Sequence, residues 1–305
     1  MREFTSVEGL IDRWAHALLS HLPQRGIAGA VVEFLVFGLK QAWACLFGGA
    51  MLGLILATRG WPSDLPVARY DFLVVAAVLL QAGMLMARLE TIEEAKIILI
   101  FHVAGTAMEV FKTGVGSWLY PEPSLLRIAG VPLFSGFMYA AVGSYLMRIL
   151  RIFDIRFTNY PPLWATIALA ALIYANFFTH HFIPDLRWGL FALTALLYWR
   201  TVMHYRVLRF RLRMPILLAF LLVALFIWFG ENIGTWSHAW LYPTQRAGWA
   251  PVSYEKLGSW FLLMIISVVL VTIVHRPKVP DTSRQTVDSL GSAANVAPAL
   301  PPTNP

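Results

Sequence analysis

The chain has 305 residues, 58% of them hydrophobic and 13% charged, whereas soluble domains carry roughly 25% charge. That balance excludes an ordinary soluble globule and leaves a chain that crosses a membrane repeatedly, with room for about eight helices of ~20 residues. The net charge of +7 belongs first to cytoplasmic loops, so no nucleic-acid partner is expected, and one cysteine, Cys45, excludes a disulfide framework or a cysteine metal cluster.

Residues 5–22 have helical periodicity. Leu10, Ile11, Trp14, Leu18 and Leu19 share a face, with Asp12, Arg13 and His16 off it. Such a helix lies on a membrane surface, or docks on the bundle as a leader. No cleavable signal peptide is expected ahead of it.

Eight spans are expected near 33–57, 69–88, 94–114, 131–153, 162–181, 186–205, 213–235 and 256–275. Prolines such as Pro62, Pro121, Pro162, Pro184, Pro215 and Pro243 fall in the connections or first turns, where proline is tolerated. In the first span Glu33 and Lys40 share a face, with Lys40 read as snorkelling. Gly49 and Gly53 there permit close packing. The third span opens on Glu93, Glu94 and Lys96. From residue 277 the composition turns to Pro, Ser, Ala, Asn and Thr, which reads as a disordered tail. The expected fold is an all-α polytopic transmembrane helix bundle. It has a leader over 1–30, four-helix units over 31–153 and 154–276, and the tail over 277–305. Basic residues are denser in loops such as 200–213 than in the alternate loops, which predicts both termini on the cytoplasmic side.

One motif occurs twice. Glu109 to Pro121 and Glu231 to Pro243 both read E-x-x-x-T-x-x-x-x-W-L-Y-P, six identities in thirteen positions. Each copy closes an apolar segment, four spans apart and so in the same orientation. A tandem repeat about an axis along the membrane normal is the simplest reading.

A carboxylate inside a span is a functional residue by default. Glu109 and Glu231 are therefore the candidate catalytic or coupling groups. Against aromatic rings in an apolar setting, a neutral, proton-donating form is favoured. Trp118, Tyr120, Trp240 and Tyr242 follow at once and are candidate substrate-binding residues, or else an interfacial belt. Thr113 and Thr235 stand four residues after each glutamate, on its face. Lys112, three after Glu109, is placed to neutralise it; Gly234 stands there in the second copy. His102 lies two turns deeper than Glu109, a partner in a proton path or a buried structural histidine. Asp71, Asn176, His180, His181, Asp185, Asn232 and His238 gather at the same end, without tight metal-ligand spacing. No nucleotide-binding loop, dinucleotide fingerprint or hydrolase motif is present, so no metal and no cofactor is expected.

The chain resembles the YoaT-like bacterial integral membrane proteins, a family of unknown function. The resemblance rests on its length, its multi-span pattern, and Glu109 to Pro121 followed by Gly130-Val-Pro-Leu133. It implies a bacterial inner (cell) membrane and no particular reaction. A looser similarity joins Glu109, Gly116, Tyr120 and Gly130-Val-Pro132 to membrane carotenoid hydratases and small lycopene cyclases; Lys112, Trp118 and the duplication depart from that pattern. Three functions are consistent with the sequence: a proton-coupled transporter of a small solute, an enzyme doing acid chemistry on an isoprenoid-like lipid, and a sensing or assembly protein. The expected partners are the bilayer and a lipid-soluble or small polar substrate.

Overall fold

The computed structural model describes residues 5–20, 27–62 and 64–280. The expected tail lies outside the described residues from 281 onward. Helix α1 (Ser6–Ser20) begins with a reciprocal bond pair between Thr5 and Glu8. Its apolar residues Leu10, Trp14 and Leu18 face away from the protein, while Glu8 is buried against Arg151. The Leu19 side chain lies outside the described residues.

The expected first span is two helices, α2 (Ile27–Ala44) and α3 (Leu46–Ala57), broken at Cys45. Beside the break the Trp43 carbonyl accepts from Arg148 Nη1 at 3.0 Å. Helix α2 is held along its length by polar contacts. Glu33 pairs with Arg209 at 3.2 Å, and Lys40 Nζ donates to Asp12 at 2.9 Å and the Val207 carbonyl at 2.6 Å. Lys40 is thus a buried tether, not the snorkelling residue expected.

Helices α4 (Arg69–Met86), α5 (Ile92–Gly114), α6 (Phe134–Ile152), α7 (Leu163–Thr179), α8 (Arg187–Tyr198), α9 (Ile216–Trp236) and α10 (Tyr254–Val274) follow. Glu94 explains the acidic start of α5: with Thr91 it forms a capping box that satisfies the first amides. The sixth span ends early, because after Tyr198 the chain becomes strand. β3 (Arg156–Thr158), β4 (Val202–Arg206) and β5 (Arg211–Pro215) form an antiparallel sheet in that order. Before α6, β1 (Arg127–Ile128) and β2 (Val131–Pro132) make a hairpin turning on Ala129 and Gly130, both at positive φ.

The architecture is therefore all-α apart from these short strands. Among the described residues five helices, α2, α4, α5, α9 and α10, are long and apolar enough to cross a membrane; α3 and α7 are apolar but shorter. Val75 and Leu79 of α4, Leu99 and Val103 of α5, Leu196 of α8 and Phe226 of α9 are exposed. Exposed apolar faces of this extent suit contact with lipid. Within the bundle α5 packs along α6, and α9 along α10. In parallel, α3 packs on α4 and α6, and α7 on α8 and α10.

Two ends are chemically distinct. At the signature end α5 and α9 stop and their loops begin. At the far end lies a buried ionic network. Glu90 takes Arg148 at 3.0 Å, Ser144 at 2.5 Å and the Gln81 amide. Arg151 binds Glu8 at 2.7 Å and also Glu94. This network fastens α1 to α5 and α6.

Candidate functional site

The two signature loops are joined at equivalent residues. Leu119 and Leu241 occupy the same position in the two copies, and each donates its amide to the other's carbonyl at 2.9 Å. The first turn of α4 holds the pair in place. Arg69, fully buried, donates to Thr58 Oγ1, Glu122 and the Ile55 and Ser237 carbonyls at 2.7–3.1 Å. The Tyr70 hydroxyl donates to the Ala239 carbonyl at 3.0 Å. The Asp71 carboxylate accepts the amides of Leu125 and Leu126. Arg69 and Tyr70 thus grip the second loop, and Asp71 the segment after the first.

Beneath this clasp each glutamate is caged by aromatic donors. Glu109, 5% exposed, accepts at Oε2 from Trp118 Nε1 at 2.7 Å and from the Tyr120 hydroxyl at 2.6 Å. Its Oε1 accepts from the Tyr139 hydroxyl at 2.8 Å. Glu231, 7% exposed, accepts at Oε1 from Tyr242 and at Oε2 from Trp260 Nε1. The donors come partly from each glutamate's own loop and partly from the next helix. Burial first, and then the neighbouring carboxylate, hold the Tyr120 and Tyr242 phenols well above their ordinary range. Both remain donors.

Both carboxylates line one cavity of about 280 Å³. Its opposite wall is cationic. Lys112, 3% exposed, forms no ion pair with Glu109 among the described residues. Its ammonium lies 3.3 Å from His180 Nε2, 2.9 Å from His181 Nε2, and 4.1 Å from the Phe177 ring centre. His180 Nδ1 must donate to the Asn176 carbonyl, 2.9 Å away, so its Nε2 is the acceptor for the lysine. Desolvation, and then the Lys112 charge, hold the His181 imidazole below its ordinary range. Lys256 of α10 stands 5.3 Å from the Trp118 ring centre and 4.5 Å from that of Tyr242.

The structure brings Glu109, Glu231, Trp118, Tyr120, Trp240, Tyr242 and Lys112 to one cavity. Asn176, His180 and His181 line it too, whereas Thr113, Thr235 and His102 do not. Thr235 is buried and bonded to the Asn232 carbonyl and the Trp249 indole. Thr113 Oγ1 has no hydrogen-bond partner among the described residues. His102 packs on Phe137, with ring centres 4.5 Å apart, beside Gly136; it reaches neither glutamate. The expected Lys112–Glu109 pairing gives way to the two histidines that follow α7. Trp240 differs from Trp118 for a steric reason. Its ring lies on Gly234, where a Cβ would come within 2.1 Å, so the glycine that breaks the repeat is the seat of that tryptophan. Tyr139, Trp260 and Lys256 were missed in sequence. They sit on the next helix of each half, outside the motif, and only their aromatic or charged character within apolar spans marked them.

Two further cavities lie deeper. One of about 40 Å³ shares Tyr139, Trp260 and Leu263 with the first. One of about 1010 Å³ opens at the far end, shares Met264 with the middle one, and is lined by Arg151, Arg156, Arg206 and Arg276 among apolar residues of α6, α9 and α10.

A family described as a protein of unknown function (DUF817) matches residues 33–268. The uncharacterized protein YoaT of Bacillus subtilis (strain 168) is 42% identical over 259 residues, which cover 85% of this chain and 98% of that protein. No solved structure matches.

Proposed function

The chain belongs to the DUF817 family, and from that premise we propose that it is a proton-coupled transporter of a small solute, with Glu109 and Glu231 carrying the proton. The observation that carries this reading is the row of three cavities from the signature end to the far end, each sharing lining residues with the next. An enzyme needs one such cavity; a transporter needs access from both sides. Tyr139 and Trp260, with ring centres 6.2 Å apart, stand between the first cavity and the second and also bond the two glutamates.

The cage gives the proton a defined place. An indole N–H only donates, so Oε2 of each glutamate must keep accepting from Trp118 or Trp260. A tyrosine hydroxyl can reverse its role, so a proton on Glu109 can sit on Oε1, facing Tyr139, or on Oε2, facing Tyr120, and one on Glu231 can sit on Oε1, facing Tyr242. Protonating Glu109 at Oε1 turns the Tyr139 hydroxyl, on the cavity boundary, from donor to acceptor.

In this reading α3–α6 and α7–α10 are two four-helix units related by an approximate twofold axis. The Leu119–Leu241 pairing supports that, and so do the element lengths: α3, α5 and α6 shifted by the motif's offset overlie α7, α9 and α10. We place the protein in a bacterial inner membrane. Its arginine-rich far end and both termini are cytoplasmic. The alternative, acid catalysis on an isoprenoid-like lipid, needs a carboxyl proton turned toward substrate, whereas here the oxygens face the cage.

The test is uptake by proteoliposomes under an inward proton gradient, with a panel of labelled organic acids, amino acids and polyols. Accumulation of a solute, abolished by a protonophore and reduced at least tenfold by Glu109→Gln, is the expected result. Failure of every solute to accumulate in vesicles of folded protein would overturn the reading. A lipid whose mass shifts only in cells holding the protein would replace it with the enzyme.

A further inference from the structure

We infer that the cavity at the signature end binds a small organic anion, its carboxylate or phosphate group held between Lys112 and Lys256. This rests on reading that cavity as the solute site and adds the class of solute. All the oxygens of the two glutamates already accept hydrogen bonds from aromatic donors. Glu109 accepts three such bonds and Glu231 two, so both carboxylates are engaged by their cages. The cationic wall is the open one. Neither Lys112 nor Lys256 has a carboxylate at ion-pair distance among the described residues; their polar and ring contacts are neutral imidazoles and aromatic faces. The third cation of the wall, Arg187, already pairs with Asp185 at 3.1 Å.

An ammonium group taken out of water without a counter-charge is costly. Lys112 is such a group, at 3% exposure, and an anion entering the cavity supplies the missing charge. The remaining walls are rings: Trp118, Tyr139, Phe177, Trp240, Tyr242 and Trp260. These suit a planar or apolar body behind the anionic group. At about 30 Å³ per water, 280 Å³ holds a ligand of about ten non-hydrogen atoms. The charge count also fits a symport. A monoanion that enters together with one proton for a glutamate adds no net charge to the site.

The experiment is equilibrium binding to the purified full-length protein in detergent, read by quenching of tryptophan fluorescence. The probes are benzoate, phenyl phosphate, benzamide and benzylammonium. Benzoate or phenyl phosphate should bind saturably and at least tenfold more tightly than benzamide or benzylammonium. The better of the two identifies the anionic group. Lys256→Met should weaken that binding at least tenfold, and Lys256→Arg should retain it. Lys256 is half-buried, so these variants disturb folding less than changes at Lys112; equal melting temperatures would establish that. Equal binding of the neutral or cationic probe, no saturable binding at all, or unchanged affinity in Lys256→Met would overturn the inference. The two readings fail separately. Anion binding without uptake removes the transporter and keeps the anion site; uptake of a cationic or neutral solute does the reverse.

Discussion

Tyr120 and Tyr242 each place a hydroxyl on a buried carboxylate, at 2.6 Å from Glu109 in the first case. Both side chains lie in loops, and both phenols are held un-ionised well above their ordinary range, by burial and then by the adjacent carboxylate. The sign of the pH effect follows. An unfolded tyrosine loses its proton near pH 10, while the folded one keeps it. The folded state therefore binds more protons above that pH, and stability falls as pH rises through and beyond about 10. Absorbance of tyrosinate during alkaline titration should thus show a class of tyrosines that ionises only together with unfolding. Tyr120→Phe and Tyr242→Phe together should shrink that class. At this scale the sequence was half informative. A glutamate, a tryptophan and a tyrosine at fixed offsets share a local frame, so a repeat in letters becomes a repeat in geometry. Lys112 was legible as a residue and not as a contact. Helical spacing put it near Glu109, but the side chain found imidazoles from the turn after α7.

At the scale of elements, helix α5 owes its fit against α6 to Gly105. A Cβ there would lie 2.4 Å from the Tyr139 ring, closer than any packing allows. Gly105→Ala should cost about 1–3 kcal/mol, the usual cost of overpacking, measured by thermal unfolding in detergent. It should also pull Tyr139 off Glu109, and so depress uptake more than its loss of stability explains. The break at Cys45 and the early end of α8 were hidden in sequence. Hydropathy runs without interruption through residues 42–57, and nothing local marks the break beside which a guanidinium from α6 meets the Trp43 carbonyl. The strands β4 and β5 alternate in side-chain type, yet a window of helical length averages that alternation away.

Across the whole molecule, α4 is the part that ties the two signature loops together. Arg69 meets Thr58 and Ile55 on one side, Glu122 beyond the first loop, and Ser237 in the second. Arg69→Met would leave the Ile55 and Ser237 carbonyls and the Glu122 carboxylate without this donor. Loss of one partner of a buried charged network costs about 3–5 kcal/mol, and less here because Glu122 is partly exposed. Both signature loops should loosen together, visible as a red shift in tryptophan emission and faster proteolysis within 115–126 and 237–253. Arg69→Lys should rescue little, since an ammonium cannot span the fork of acceptors.

Composition and periodicity alone determined that the chain is helical and apolar enough for a membrane, because the missing charge and the ~20-residue apolar runs are local properties of the chain. The repeated motif alone pointed to two glutamates as equivalents. Only the tertiary structure decided that both line one cavity, that Tyr139 and Trp260 complete their cages, and that Lys112 and Lys256 line the same cavity with no carboxylate at ion-pair distance among the described residues. Those facts depend on which helix faces which across more than a hundred residues of chain, and no local preference encodes that.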